Sequence, residues 1–218
     1  MGAGKITVVG VTGNMGSGKS YLCKTFLEDY GVPVFYCDVE LKKIINKNVF
    51  VISEIKRLIG EDAYIKDGKG GEVSNSKKIA DIIFSDNDLK YKIELLTIGP
   101  LLNKFYDFVY FNHDLDVSSF VLIESAIMIE TGFFKIMDEI IYVHCDQDKR
   151  IEHLVKDRGF GEQEIKMRLR TQKDFKNHLK IINSYKIPHV LFKNDFKRQS
   201  VVEFSKTFYN QKLFKNIL

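Results

Sequence analysis

The octet Gly13-Asn14-Met15-Gly16-Ser17-Gly18-Lys19-Ser20 fits the pattern GxxxxGK[ST] at every fixed position. That spacing suits one kind of chemistry. Glycines let the backbone curl until several N–H groups point inward at phosphate oxygens. A helix starting at the end of the loop adds the positive end of its dipole. The lysine then reaches the β- and γ-phosphates, and the serine hydroxyl binds Mg²⁺. The octet, with the adjoining Tyr21, is read as a nucleotide-binding set. Within it Lys19 is also catalytic and Ser20 is also a metal ligand. ATP and Mg²⁺ are the cofactors this implies.

Other residues could complete the chemistry. Asp38 follows an apolar run at 34–37, where a carboxylate either caps the next helix or takes the proton of an attacking hydroxyl. Glu124 ends another such run, the usual place for the acidic partner of Mg²⁺-bound water. Glu130 is either a surface helix charge or a functional carboxylate. Arg150, Arg158, Arg168 and Arg170 lie in one polar stretch with a turn at Gly159-Phe160-Gly161. Guanidinium forks suit phosphates, and a closing lid would keep water off the reacting phosphoryl group. Arg168 and Arg170 are two apart and cannot both face one ligand on a helix. Arg158, beside the glycine turn, is the best single choice for a catalytic arginine, and Arg150 is read as nucleotide-binding.

These residues need a scaffold. Apolar runs at 6–11, 34–37, 120–124, 140–144 and 189–192 lack in/out alternation, as expected of parallel strands covered on both faces. Helical patterns separate them, at 19–30, 125–137, 148–157, 162–185 and 197–208. Alternation of this kind predicts an α/β fold: a five-stranded parallel sheet flanked by helices, with the phosphate loop after the first strand. Between 37 and 120 no core strand is expected. Helices at 39–46, 49–59, 77–84 and 88–111 are predicted there, the last kinked or broken at Gly99-Pro100, and 66–71 is read as a mobile loop. The domain reading is one kinase-like domain over 1–218. Its core is 1–38, 113–147 and 184–218, its helical acceptor-binding insertion is 39–112, and its lid is 148–183.

Composition narrows the class. In 218 residues, Lys+Arg 33 against Asp+Glu 29 leaves +4, so no strong basic field asks for nucleic acid or a membrane. Cys23, Cys37 and Cys145 are too widely spaced for a disulfide framework or zinc site. Met1-Gly2-Ala3-Gly4-Lys5 runs into a short strand-like stretch without a signal peptide's longer apolar region, and the expected location is the cytoplasm. A switch GTPase would carry N-K-x-D after the 140–144 run, but Cys145-Asp146-Gln147-Asp148 stands there. A nucleoside or nucleotide kinase, and a P-loop regulator without a small acceptor, remain as alternatives.

Taken together these segments resemble the dephospho-coenzyme A kinase family. The phosphate loop with Thr12 is similar to the family's T-G-G-I-G-S-G-K-S, and Gly31-Val32-Pro33-Val34 leading to Tyr36-Cys37-Asp38 resembles its second strand ending in D-A-D. Tyr36 replaces the first of those aspartates. Ala126 to Gly132 is similar to V-P-L-L-F-E-x-G, Gln147 to Ile151 to the start of the lid, and Arg168-Leu169-Arg170-Thr171-Gln172 to R-[IL]-x-x-Q. Val190-Leu191-Phe192-Lys193-Asn194 resembles the late strand with its asparagine. The resemblance implies Asp38 as catalytic base, Arg150 and Asn194 as nucleotide-binding residues, and Ser20 with Glu124 at the metal. It implies transfer of the ATP γ-phosphate to the ribose 3′-hydroxyl of dephospho-coenzyme A, the last step of coenzyme A biosynthesis. ATP and dephospho-coenzyme A are the expected partners, on a monomer or weak homo-oligomer.

Overall fold

The computed structural model describes residues 6–115, 118–158 and 175–215. They form two compact units: Met1–Tyr36 with Val109–Leu218, and Cys37–Phe108.

In the first unit the strands are β1 (Thr7–Thr12), β2 (Val34–Tyr36), β5 (Phe120–Glu124), β6 (Glu139–Cys145) and β7 (His189–Asn194). They form a five-stranded sheet in the order β2-β5-β1-β6-β7, parallel at every pairing. β1 is central, so the loop that follows it opens in the middle of the sheet's carboxyl edge, where ligands of open α/β sheets bind. Helices α1 (Lys19–Tyr30) and α8 (Arg198–Lys215) cover one face. Phe26 of α1 meets Phe120 edge-on at 6.1 Å and Phe208 at 5.9 Å. Val9, Val11, Leu122, Ile141 and Val143 complete that layer. Each fully buried side chain of this size contributes ~1.5–3 kcal/mol of apolar transfer. Strand alternation turns Tyr142 and His144 to the other face, where Phe175 of α7 (Phe175–Ser184) packs on both, at 5.3 Å and 4.2 Å between ring centres. Helix α6 (Gln147–Arg158) follows β6.

Two sequence expectations change here. The 125–137 stretch is not an α-helix. It is a run of turns ending in a 3₁₀ helix, Phe133–Ile136. The Thr131 hydroxyl bonds the Ile127 carbonyl at 2.9 Å, and Gly132 takes a left-handed φ of 74°, which together stop helix growth after one turn. The turn also delivers Met128 against the Cα of Gly10, where a Cβ would come within 2.6 Å of its sulfur. The second change narrows the kink-or-break expectation at Pro100 by excluding the break. Helix α5 (Asn87–Asp114) runs through it rather than breaking. Ile93, Thr97, Leu101 and Phe105 are all buried, at a spacing of four on both sides of the proline, so burial holds both halves against one missing hydrogen bond.

The second unit contains α2 (Cys37–Lys47), α3 (Val49–Ile59), α4 (Ser76–Ser85) and the α5 residues up to Phe108. It also contains an antiparallel hairpin, β3 (Tyr64–Lys66) with β4 (Glu72–Ser74), where only a loop was expected. Asp67 Oδ1 closes the connection by accepting from the Lys69 and Gly71 N–H groups, both at 2.9 Å. Distant partners hold the hairpin: Tyr64 donates to the Ile45 carbonyl at 2.7 Å, and the Ser74 N–H to Asn46 Oδ1 at 2.7 Å. Among the described residues no helix is long and apolar enough to cross a membrane.

Candidate active site

The phosphate loop joins β1 to α1 and is built on close approaches. At Gly13, with φ of 143°, a Cβ would stand 2.1 Å from the Val143 carbonyl oxygen of β6. At Gly18, with φ of 95°, it would stand 2.1 Å from Asn194 Nδ2. Both positions therefore exclude a side chain on two grounds, space and backbone angle. Gly13→Ala should lower stability by ~1–3 kcal/mol and abolish nucleotide binding. A thermal melt with a nucleotide titration checks this, and wild-type affinity in the variant would overturn it.

Asn194 ends β7 and is buried. Its amide Nδ2 donates to the Ser17 carbonyl at 2.8 Å, and its Oδ1 accepts from the Phe196 N–H at 2.9 Å. One side chain thus ties the far strand to the crown of the loop. Lys19 is 6% exposed and donates to the carbonyls of Gly13 at 2.9 Å and Asn14 at 3.1 Å. Ser20 and Tyr21 are exposed at the start of α1. The Ser17 hydroxyl and Asn14 Oδ1 are buried with no hydrogen-bond partner among the described residues. Buried polar atoms of this kind are expected where a ligand supplies the partner. Met15 and Gly16 form the rest of the crown, and a Cβ on Gly16 would meet Leu154 of α6 at 2.7 Å.

Glu124 closes β5 and is 5% exposed. Its charge and that of Lys19 both reach Cys23 on α1. Burial pushes that thiol well up, Glu124 pushes it further, and Lys19 opposes them. Tyr36, the strand partner of Glu124, is pushed up to about 12 by burial first, then by Cys23 and Glu124. Arg150, in the first half of α6, is 8% exposed, and its Nε has no hydrogen-bond partner among the described residues. Burial lowers its pKa from the usual guanidinium value, while Cys145 and Tyr142 raise it. Lys19, Ser20, Glu124, Arg150 and Asn194 therefore all come from the carboxyl ends of strands of one sheet or the helices that follow them.

Asp38 belongs to the helical unit. It is exposed and lies inside the first turn of α2, which begins at Cys37, so it is not the residue that caps that helix. Arg158 is the last residue of α6. Its side chain, and the sequence-predicted Arg168, Arg170 and Gln172, lie outside the described residues. Tyr142 of β6 and His178 of α7, both buried, were not among the sequence-predicted site residues. The available signal was a polar ring inside the apolar run 140–144.

A parallel sheet whose central strand enters such a loop and leaves it as a helix defines a P-loop nucleotide-binding protein. The sequence matches the CoaE dephospho-CoA kinase family model over residues 7–186. The chain belongs to the dephospho-CoA kinase family. The curated dephospho-CoA kinase of Chlorobium luteolum is 33% identical over 173 residues, covering 76% of this chain and 74% of the relative. That of Bacteroides fragilis is 30% identical over 164 residues, 75% of this chain and 76% of the relative. Among solved structures, TT1252 from Thermus thermophilus superposes with a TM-score of 0.77 at 19% identity, covering 96% of this chain and 99% of its own. The dephospho-CoA kinase from Campylobacter jejuni superposes at 0.67 with 16% identity, covering 97% and 98%. At those identities the superpositions speak for the fold alone.

Proposed function

We propose that the chain transfers the γ-phosphate of ATP to the ribose 3′-hydroxyl of dephospho-coenzyme A, giving coenzyme A and ADP. The observation that carries this reading is the phosphate loop, with Lys19 held over its crown, in a chain of the dephospho-CoA kinase family. The loop N–H groups and Lys19 bind the β- and γ-phosphates and offset charge on the moving phosphoryl group. Arg150, buried with an uncommitted Nε, adds a second cation. Asp38, two residues beyond the end of β2, accepts the proton of the attacking hydroxyl and orients it.

The donor set also fits Mg²⁺. Ser20 presents an exposed hydroxyl, and Glu124 a buried carboxylate at the end of β5, paired with Val11 of β1 just before the loop. Among the described residues no group of three His, Cys, Asp or Glu side chains is poised to cage a metal. Mg²⁺ beside a nucleotide is held by one or two protein groups, waters and substrate phosphates. Bound there, Mg²⁺ would neutralise charge on the phosphate oxygens.

The helical unit supplies room for an acceptor with a long arm. A cavity of about 680 Å³ lies between α3 and α5, with Phe50, Leu58, Leu95 and Leu96 as apolar walls and Glu54, Arg57, Lys92 and Asn103 as polar ones. The buried free thiols Cys23, Cys37 and Cys145 are in keeping with a reducing, cytoplasmic setting.

The test is ADP release from ATP and Mg²⁺ with a panel of acceptors. Turnover is expected with dephospho-coenzyme A and lost when EDTA removes the metal. Turnover with a nucleoside monophosphate, and none with dephospho-coenzyme A, would reject the reading.

A further inference from the structure

A second cavity, of about 270 Å³, opens between α6 and the connection from β7 to α8. His153 of α6 and Phe196 of the connection lie in its wall, with ring centres 4.9 Å apart and planes tilted by 37°. Lys149, Glu152, Lys156 and Asp195 complete the lining. Both aromatic walls are fastened to the phosphate loop. Two residues before Phe196, Asn194 donates to the Ser17 carbonyl at 2.8 Å, and its Oδ1 accepts from the Phe196 N–H at 2.9 Å. Leu154, next to His153, is the side chain against which Gly16 fits, since a Cβ there would come within 2.7 Å of it. The cavity therefore stands beside the crown of the loop.

The backbone marks Phe196. It holds a left-handed φ of 65°. That region is disfavoured for a ring-bearing residue, and glycine would occupy it at less cost. Two hydrogen bonds hold the segment there, the Phe196 N–H to Asn194 and the Lys197 N–H to Asp195 Oδ1 at 3.0 Å. Neither involves the ring, so both would form equally with glycine. A phenyl ring kept at such an angle suggests a use for its face.

An aromatic face suits a nucleotide base of any kind, because every base has a π-face. The edge of a base is read by polar groups, and strongly only where the wrong base would leave them buried and unpaired. Here Lys149, Glu152 and Lys156 are exposed, and Lys156 bonds Glu152 at 2.6 Å. Water can partner such groups whichever edge arrives, so a mismatched edge costs little.

We propose that Phe196 and His153 hold the base of the bound nucleoside triphosphate by face contact, and that the site accepts guanine as well as adenine. The inference deepens the reading of the loop as an ATP site and rests on it.

The test is calorimetric titration of the full chain with ATP, GTP and inorganic tripolyphosphate, each with Mg²⁺, beside thermal melts. Wild-type affinities for ATP and GTP should agree within about ten-fold, and a wider gap would overturn the proposal. Phe196→Leu keeps apolar bulk and removes the π-face. It should weaken both nucleotides about ten-fold and leave tripolyphosphate, which has no base, within about two-fold. Phe196→Tyr keeps the face and should bind all three ligands as the wild type does. His153→Leu should act as Phe196→Leu does, and it carries the test should that variant fail to fold. A loss for ATP under about three-fold, or an equal loss for tripolyphosphate, would refute the role of the rings. If the wild-type chain binds ATP but does not phosphorylate dephospho-coenzyme A, the substrate reading fails while the titration still decides the base site. If none of the three ligands binds, the phosphate-loop reading fails and the base site with it.

Discussion

Replacing Lys19 by alanine is expected to cut kcat/KM for ATP by about 10²–10³-fold with the fold retained. Two losses combine. The ammonium now bonds the Gly13 carbonyl at 2.9 Å and the Asn14 carbonyl at 3.1 Å, so removing it takes a donor from the Gly13 carbonyl and leaves the Asn14 carbonyl with the Ser17 N–H. It also removes a nearly buried cation from a site that must hold the negative charges of ATP. The loss should fall on kcat as well as KM, because charge on the moving phosphoryl group differs between ground and transition states.

Lys19→Arg separates charge from shape. The guanidinium keeps the charge, but its planar fork is wider than an ammonium and stands in a loop whose walls are backbone. Gly13 and Gly18 already abut the Val143 carbonyl and the Asn194 amide, so the loop has little slack to widen. Arginine should therefore rescue nucleotide affinity in part and turnover poorly. Melting curves and nucleotide titration accompany the kinetics. Lys19→Ala with more than about a third of wild-type kcat/KM would remove Lys19 from the proposed chemistry.

The loop was readable in the sequence because its constraint is local. Gly13, Gly16, Gly18, Lys19 and Ser20 lie within one turn and the start of one helix, so spacing alone spells the geometry. The sheet was readable for a related reason. Runs such as 120–124, buried at all five positions, need no partner to declare themselves. The hairpin β3–β4 gave no such sign. Its strands are three residues each, too short for a period, and its support comes from Ile45 and Asn46 far back in the chain. The turns at 126–132 misled because Ile127, Met128 and Ile129 carry the apolar content of a helix, while Gly132 and the Thr131 hydroxyl set the backbone. The hydrogen bonds of His178 with Tyr142 and with Glu130 were invisible for the plainest reason. They join residues 36 and 48 positions apart, and only the closed fold brings them to hydrogen-bond distance.

Asp38→Asn should lower kcat by about 10²–10⁴-fold while leaving ATP affinity intact. The substitution keeps size and shape and removes only the capacity to take a proton. Stability should hardly move, because Asp38 is exposed and sits within the first turn of α2 rather than at its cap. Helix capping would have predicted a different outcome, since asparagine caps about as well as aspartate and turnover would survive. Asp38→Ala sharpens the contrast: it should match asparagine in kcat and lose acceptor positioning as well, raising KM for dephospho-coenzyme A further. The size of the effect also reports on the reaction. In a loose phosphoryl transfer the hydroxyl loses its proton late, so the carboxylate acts as much by orienting the nucleophile as by basicity. Asparagine can still orient through its carbonyl oxygen. A loss near the lower end of the range would thus favour orientation, and one near the upper end proton transfer. Unchanged kcat in Asp38→Asn, with ATP still bound, would reject both roles.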